Sequence, residues 1–342
     1  MNEAHHSSGS GSVSFDFYGL ELQLRSEDPD VVDSIKRDFA YFQSAPAQPQ
    51  MTIEVFNDRP DFSALPDLRG SIYTMDYVCY LGKDEVYTDY HGSGLKISDR
   101  KRRSYRIYSE SADVRHEISY LTIQAAVGEY LDSRHIHRVH ALAINRNGKA
   151  VLVLLREKGG KSTLAFQLLK SDKVKLLSDE SPLITRQGKV LPFPMRMGFL
   201  PGAQTDIPPE YLQPVNYMRV GTKVRVDIEY YAHKIGSACP AGAILLGERS
   251  LGCSCTIEPA SRLSGSREFV KNSVVGLGLH QGMDYLLGRN LRDTFGKVGL
   301  ASSRLYNSLV ALRRSRVYRY TIGHDRERNN EVLLDFLNRL DL

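Results

Sequence analysis

One stretch limits the possible folds more than any other: the apolar run Val151-Leu152-Val153-Leu154 leads through Leu155-Arg156-Glu157-Lys158 into Gly159-Gly160-Lys161-Ser162-Thr163. Continuous branched aliphatic residues suit a strand buried on both faces. Paired glycines then allow a tight reversal, and Thr163 to Leu169 carries helical spacing. Lys173 to Leu177 returns to strand pattern. The order is strand, glycine loop, helix, strand.

That order is what a phosphate loop requires. Glycines let several backbone N–H groups converge on one anion, and the positive end of the helix that starts near Lys161 adds to them. Lys161 is placed to reach β- and γ-phosphates, and the Ser162 hydroxyl to bind Mg²⁺. Lys158, Gly159, Gly160 and Thr163 complete the nucleotide-binding set. Gly-Lys-Ser-Thr alone would be a weak signal, since a glycine loop can simply cap a helix. Its place between an apolar strand and a helix carries the reading. One position departs from the usual pattern: Leu155 stands where a glycine is expected. If that site needs positive φ, a leucine costs roughly 1–2 kcal/mol there.

Asp179 follows the apolar strand Val174-Lys175-Leu176-Leu177, one helix after the loop. A carboxylate there can hold Mg²⁺ or accept a proton from an attacking hydroxyl. Glu180 is its neighbour, and two adjacent acids also suit a plain solvated turn. His135, His137 and His140 form a third group. Reading Val139 to Ile144 as a strand puts His135 and His137 on one face and His140 on the other, against a shared metal. By propensity alone His140 is a satisfied core histidine. No Ser/His/Asp elbow, zinc signature or dinucleotide glycine pattern appears elsewhere.

The remaining chain sets bounds on the class. With 342 residues, two domains are expected. No apolar run approaches the roughly 20 residues of a membrane helix, so no span is expected. Met1 to Ser12 is polar, lacks the apolar core of a secretory signal, and reads as a flexible leader. The net charge of +5, with runs at Lys101-Arg102-Arg103 and Arg313-Arg314-Ser315-Arg316, points to solvated surface rather than nucleic acid. Four cysteines fit a reduced, cytoplasmic protein, and Cys253-Ser254-Cys255 reads as a buried strand pair rather than a metal site.

Residues 13–112 alternate as short strands around one helix. Strands are expected at Val13 to Leu24 around a turn at Tyr18-Gly19, then at Met51–Phe56, Ser71–Leu81, Glu85–Tyr90, Gly94–Ser98 and Ser104–Ser109, with a helix over Asp30–Phe42. From 113 to 342 the chain is mixed, opening with a long amphipathic helix from Val114 and closing with a helix over Asn330–Leu340. The expected class is α+β: an N-terminal mostly antiparallel domain followed by a P-loop domain.

His137-Arg138-Val139-His140-Ala141, Gly160-Lys161-Ser162-Thr163 and Leu177-Ser178-Asp179-Glu180 together resemble the HPr kinase/phosphorylase superfamily, and more closely its HPr kinase-related members. Leu191-Pro192-Phe193-Pro194-Met195-Arg196 is similar to a segment of the same relatives. The resemblance implies a phosphoenolpyruvate carboxykinase-like kinase domain, ATP and Mg²⁺ as cofactors, and phosphoryl transfer to a hydroxyl of a protein, peptide or small molecule. It implies catalytic roles for Lys161, for Asp179 as acid–base and for His140 as its assistant. Asp179-Glu180 replaces the family's double aspartate, and its downstream Glu-Arg-Gly signature has no counterpart, which points away from HPr as acceptor and from phosphorolysis. The alternative is a nucleotide-binding regulator or scaffold with impaired catalysis, and a simple hydrolase of nucleoside triphosphates comes third. The sequence leaves homo-oligomerisation, the acceptor and the choice of ATP or GTP open.

Overall fold

The computed structural model describes residues 11–156, 159–202, 206–218, 221–273 and 291–340, the side chains of 291–297 excepted. It is a mixed α+β protein with several sheets. The chain divides into two compact units, one of Met1–Val127 with Leu200–Asp227 and one of Gly128–Phe199 with Ile228–Leu342. The composition change at 112/113 thus falls one helix-half before the structural division, and 200–227 returns to the first unit. Among the described residues no helix is long and apolar enough to cross a membrane.

The first unit is built on an eight-stranded sheet. Strands β1 (Gly11–Asp16) and β2 (Glu21–Ser26) form the expected hairpin, turned by Tyr18 at φ 58° and Gly19 at φ 94°. Gly11 and Ser12 therefore belong to a strand rather than to a leader; residues 1–10 lie outside the described residues. Helix α1 (Pro29–Asp38) is capped by the Asp28 carboxylate, which accepts from the Asp30 N–H, and buries Val31, Val32 and Ile35. It is shorter than Asp30–Phe42 because a 3-10 turn, Ala40–Phe42, takes over.

Strands β3 (Met51–Phe56), β4 (Gly70–Tyr73), β5 (Val78–Leu81), β6 (Glu85–Asp89), β7 (Leu95–Asp99) and β8 (Ser104–Tyr108) follow in the order β1-β2-β3-β8-β7-β6-β5-β4. The expected strand Ser71–Leu81 is two strands. Thr74 Oγ1 accepts from the N–H groups of Asp76 and Tyr77 and folds the chain between them. The sheet is not antiparallel throughout. β2–β3 and β3–β8 are parallel; α1 lies in the connection that returns the chain from β2 to β3, and β4 to β7 lie between β3 and β8 in sequence.

Helix α2 (Ala112–Ser133) crosses the division between units. The second unit continues with β9 (His137–Arg138), β10 (Leu142–Arg146), β11 (Lys149–Leu154), helix α3 (Lys161–Leu169), β12 (Lys175–Ser178), β13 (Leu183–Ile184), β14 (Lys189–Leu191) and β15 (Met197–Phe199). The chain then gives the first unit the antiparallel pair β16 (Leu212–Tyr217) and β17 (Gly221–Val226). It closes the second unit with α4 (Ile228–Tyr231), β18 (Cys239–Arg249), β19 (Thr256–Pro259), α5 (Arg262–Ser273), the helix Leu291–Arg314, β20 (Arg316–Ile322) and the helix Arg326–Arg339.

The nine-stranded sheet of this unit runs β12-β10-β11-β18-β14-β13-β9, with β20 beside β18 and β19 beside β20. β11, β18 and β20 are mutually parallel neighbours. Their core is aliphatic: Leu152, Leu154, Ile244, Val317 and Leu312 are buried together around Phe269. Three parallel strands ending at one edge place the loops that follow them side by side, the position where open sheets of this kind hold ligands.

Two expectations fail here. Val139 to Ile144 is not one strand: β9 ends at Arg138, His140 sits in a bend, and β10 begins at Leu142. The alternation argument for the three histidines loses its basis, and His135 lies in the turn after α2. Cys253 is exposed and Cys255 half-buried, both in the loop before β19 rather than on a buried strand.

Candidate functional site

The loop after β11 is built as its residues require. Gly160 is the N-cap of α3 at φ 93°, ψ 21°, in the left-handed region, and it has no side chain to cap with. A Cβ there would stand 3.2 Å from the guanidinium of Arg249. The Gly159 N–H donates to the Arg156 carbonyl at 2.9 Å, closing the turn before the helix. Lys158 lies outside the described residues.

Leu155 does not adopt a positive φ. The residues other than glycine with positive φ, among those described, are Tyr18, His91, Arg103, His135 and Asn147. Its side chain is 3% exposed and fills the space over Gly247 of β18, where a Cβ would meet Leu155 Cδ2 at 2.3 Å. Leucine at this position therefore belongs to the contact between two parallel strands, and the left-handed turn is delegated to Gly160.

Lys161 is buried and its ammonium has three acceptors for its three protons. Nζ donates to His140 Nε2 at 2.7 Å, to the Leu155 carbonyl at 3.1 Å and to the Arg156 carbonyl at 3.4 Å. Accepting from an ammonium makes His140 Nε2 the unprotonated nitrogen of a neutral ring. His140 thus contacts the loop through Lys161, held in its bend by its own N–H, which donates to the Asn272 carbonyl at 3.0 Å.

Ser162, one residue into α3, donates its hydroxyl to Asp179 Oδ2 at 3.0 Å. Asp179 is buried at the end of β12, and Ser178 Oγ fixes the turn around it by accepting from the N–H groups of Glu180 and Ser181. Glu180 is only half-buried, and its backbone carbonyl accepts from the Ala141 N–H at 3.2 Å. The structure therefore brings His140, Lys161, Ser162 and Asp179 into one contiguous set across 40 residues of sequence, whereas His135 and His137 lie elsewhere. A hydroxyl and a carboxylate are hard oxygen donors of the kind magnesium takes when phosphates supply the rest.

A depression opens beside the loop. Gly159, Gly160, Thr163 and Gln167 line it together with Arg249, Tyr320, Arg326 and Asn329. The Tyr320 hydroxyl donates to the Asn329 carbonyl at 3.3 Å, and burial pushes its pKa well above the usual phenol range. Asn329 and Gly323 exchange two hydrogen bonds at 2.8 and 2.9 Å, which fixes the amide.

Arg249 is the residue that sequence reasoning missed. It is exposed at the end of β18, and its guanidinium donates to the Gly159 carbonyl at 3.4 Å. Ninety positions separate the two, so no local motif links them. The usable signal was a cation at the carboxyl end of a second apolar strand, Ala241 to Leu246, that pairs in parallel with the strand before the loop.

Comparison of the sequence with models of known protein families and with curated protein sequences finds no match.

Proposed function

We propose that the second unit is an HPr kinase-related phosphotransferase, with a phosphoenolpyruvate carboxykinase-like P-loop domain that moves the γ-phosphoryl group of ATP to a hydroxyl. The observation that carries this reading is the contact between Ser162 Oγ and Asp179 Oδ2 at 3.0 Å, directly after the left-handed Gly160 and beside a buried lysine. Chance glycine loops need no buried carboxylate at the first turn of the helix. A nucleotide site with a metal does.

In this reading the N–H groups at the start of α3 and the ammonium of Lys161 take the β- and γ-phosphates. The anion would compete with the carbonyls of Leu155 and Arg156 for the ammonium, and His140 keeps the lysine aimed at the loop. Arg249 adds a second positive charge at the lip, where phosphate oxygens gain charge during transfer. Mg²⁺, held by Ser162 and Asp179 together with the phosphates, would neutralise part of that charge. The Asp179 carboxylate is also the group placed to accept the proton of the attacking hydroxyl.

Isothermal calorimetry with Mg-ATP tests the proposal. Lys161→Ala should abolish measurable binding while circular dichroism shows the fold intact. Equal affinity in the two proteins would remove the P-loop assignment.

A further inference from the structure

His135 and His137, which the P-loop site leaves unused, converge on one hydroxyl. His137 Nε2 lies 2.8 Å and His135 Nδ1 2.9 Å from Ser303 Oγ, at mid-length of the helix Leu291–Arg314. On its other side His137 Nδ1 lies 2.7 Å from Asp132 Oδ1, and Asp132 Oδ2 accepts from Arg304 at 2.6 Å. All of these residues belong to the second unit.

The proton positions follow from what each group can do. Burial works against ionisation of Asp132, but the hydrogen bond from His137 and the charge of Arg304 outweigh it and hold the carboxyl below its usual range. An ionised carboxylate only accepts, so His137 carries a proton on Nδ1, and in the neutral ring that tautomer leaves Nε2 as the acceptor. The single proton of Ser303 then goes to Nε2, and His135 Nδ1 donates to the remaining lone pair. The hydroxyl faces a base, and the base is oriented by a buried acid. That is the geometric requirement for an activated serine.

The backbone supplies an independent observation. Helix α2 ends in a Schellman arrangement: the Ile136 N–H donates to the Leu131 carbonyl at 2.9 Å and the His135 N–H to the Asp132 carbonyl at 3.1 Å. The left-handed position of this motif is normally glycine, yet His135 occupies it at φ 58°. A strained backbone at a residue whose ring reaches the serine is an outlier of the kind that clusters at functional sites. Asn307, one turn after Ser303, donates to the His135 carbonyl at 2.8 Å and locks the turn to the same helix face.

The surroundings suggest the substrate. Ser303 is half-buried with exposed His135 beside it, while His137 and Asp132 are buried behind. One turn before the serine, Gly299 has nothing among the described residues within 4 Å of where a Cβ would stand; one turn after it, the ring of Tyr306 is half exposed. Among the described residues the helix surface by the hydroxyl is open, flanked by the tyrosine ring, over which the Arg186 guanidinium lies at 5.6 Å.

We propose that Ser303, His137 and Asp132 form a second reactive site, in which Ser303 attacks short-chain carboxylic esters. Ser303 Oγ bonds to the carbonyl carbon as its proton passes to His137 Nε2, and the ester C–O bond breaks with that proton leaving on the alcohol. Water then adds to the acyl-serine by the same route in reverse, releasing the acid and restoring the hydroxyl. His135 is a positioning residue for the hydroxyl.

The test uses the full chain with an alkyl fluorophosphonate, which loses fluoride to a nucleophilic serine, and with p-nitrophenyl butyrate as ester. Mass spectrometry should place the phosphonyl adduct on Ser303. Ser303→Ala should abolish it together with ester turnover, and His137→Gln should slow both by about 10²-fold or more, the scale of a positioned base. No adduct on the wild-type protein, an adduct on another residue, or undiminished turnover in Ser303→Ala would each overturn the proposal. Should His137→Gln fail to fold, Ser303→Ala decides alone, since removing one half-buried hydroxyl leaves the helix intact.

Discussion

Gly160 and His135 adopt similar left-handed backbones, φ 93° and φ 58°, at opposite ends of helices. Gly160 opens α3 beneath the candidate phosphate site, and His135 closes α2 beside Ser303. At Gly160 the sequence uses the residue for which this conformation is free, and the space a side chain would take faces Arg249. At His135 it uses a residue that pays for the conformation, roughly 1–2 kcal/mol, and gains a ring contact with the serine. One loop works through its backbone, the other through its side chain. Substitutions at and around the two positions should therefore fail in different ways.

The largest effect is expected at Leu155, which is buried and packs over Gly247. Leu155→Gly should lower the unfolding free energy by about 2–5 kcal/mol, as for other buried large-to-small changes. ATP affinity should not rise, because the side chain is held by the strands and not by the loop. Urea unfolding and calorimetry check both halves. Tighter ATP binding in Leu155→Gly would mark the loop as a damaged P-loop and favour a regulator without catalysis.

Asp179→Asn tests the chemistry of the same loop with the backbone untouched. The amide keeps the shape and can still accept from Ser162, so ATP should still bind through the loop and Lys161, with Mg²⁺ held more weakly. Transfer, read as ADP release with water as acceptor, should fall about 10²-fold, the usual scale for a positioned base. An unchanged rate would reduce Asp179 to a strand-end residue that happens to cap Ser162.

Legibility followed the same divide between backbone and side chain. The strand pattern located β3 to the residue and β1 and β2 to within two residues at their outer ends, and the glycine loop located α3, because these signals lie within a few positions of one another. Lys161 and Asp179 were legible together from the order strand, loop, helix, strand, and His140 joined them only through the family resemblance; their grouping depends on β10, β11 and β12 lying side by side. Arg249 and Ser303 were not legible. Each reaches its partner across 90 or more positions, through a parallel strand pairing in one case and a helix face in the other. The break of the strand at His140 was missed for a related reason: Val139 and Ala141 are buried and apolar, and alternation cannot tell a buried bend from a buried strand.

A smaller effect is expected from Gly160→Ala. A Cβ in the left-handed region costs roughly 1–2 kcal/mol, and the nearest atom, at 3.2 Å, is the end of the flexible Arg249 side chain, which can move aside. The fold should survive with that loss, read as a lower urea midpoint at unchanged slope. Displacing Arg249 should also weaken Mg-ATP binding, several-fold rather than completely. Wild-type stability in Gly160→Ala would mean that the turn can relax out of the left-handed region.

The smallest effect, and the one that sets the two positions directly against each other, is the difference between His135→Gly and His135→Ala. Both variants lose the ring and its bond to Ser303, so that loss cancels between them. Alanine keeps the Cβ that the left-handed backbone resists, whereas glycine removes it and loses more conformational freedom on folding, a penalty of about 0.5–1 kcal/mol. Relief of roughly 1–2 kcal/mol should win. His135→Gly should then be the more stable variant by about 1 kcal/mol or slightly less, the reverse of the order at an ordinary helix position, where alanine leads by about that amount. Paired urea melts of the two proteins resolve a difference of this size. If alanine is equal or better, the end of α2 is not strained in solution, and the contrast with Gly160 disappears while the contacts of Ser303 with His137 remain to be judged by its reactivity.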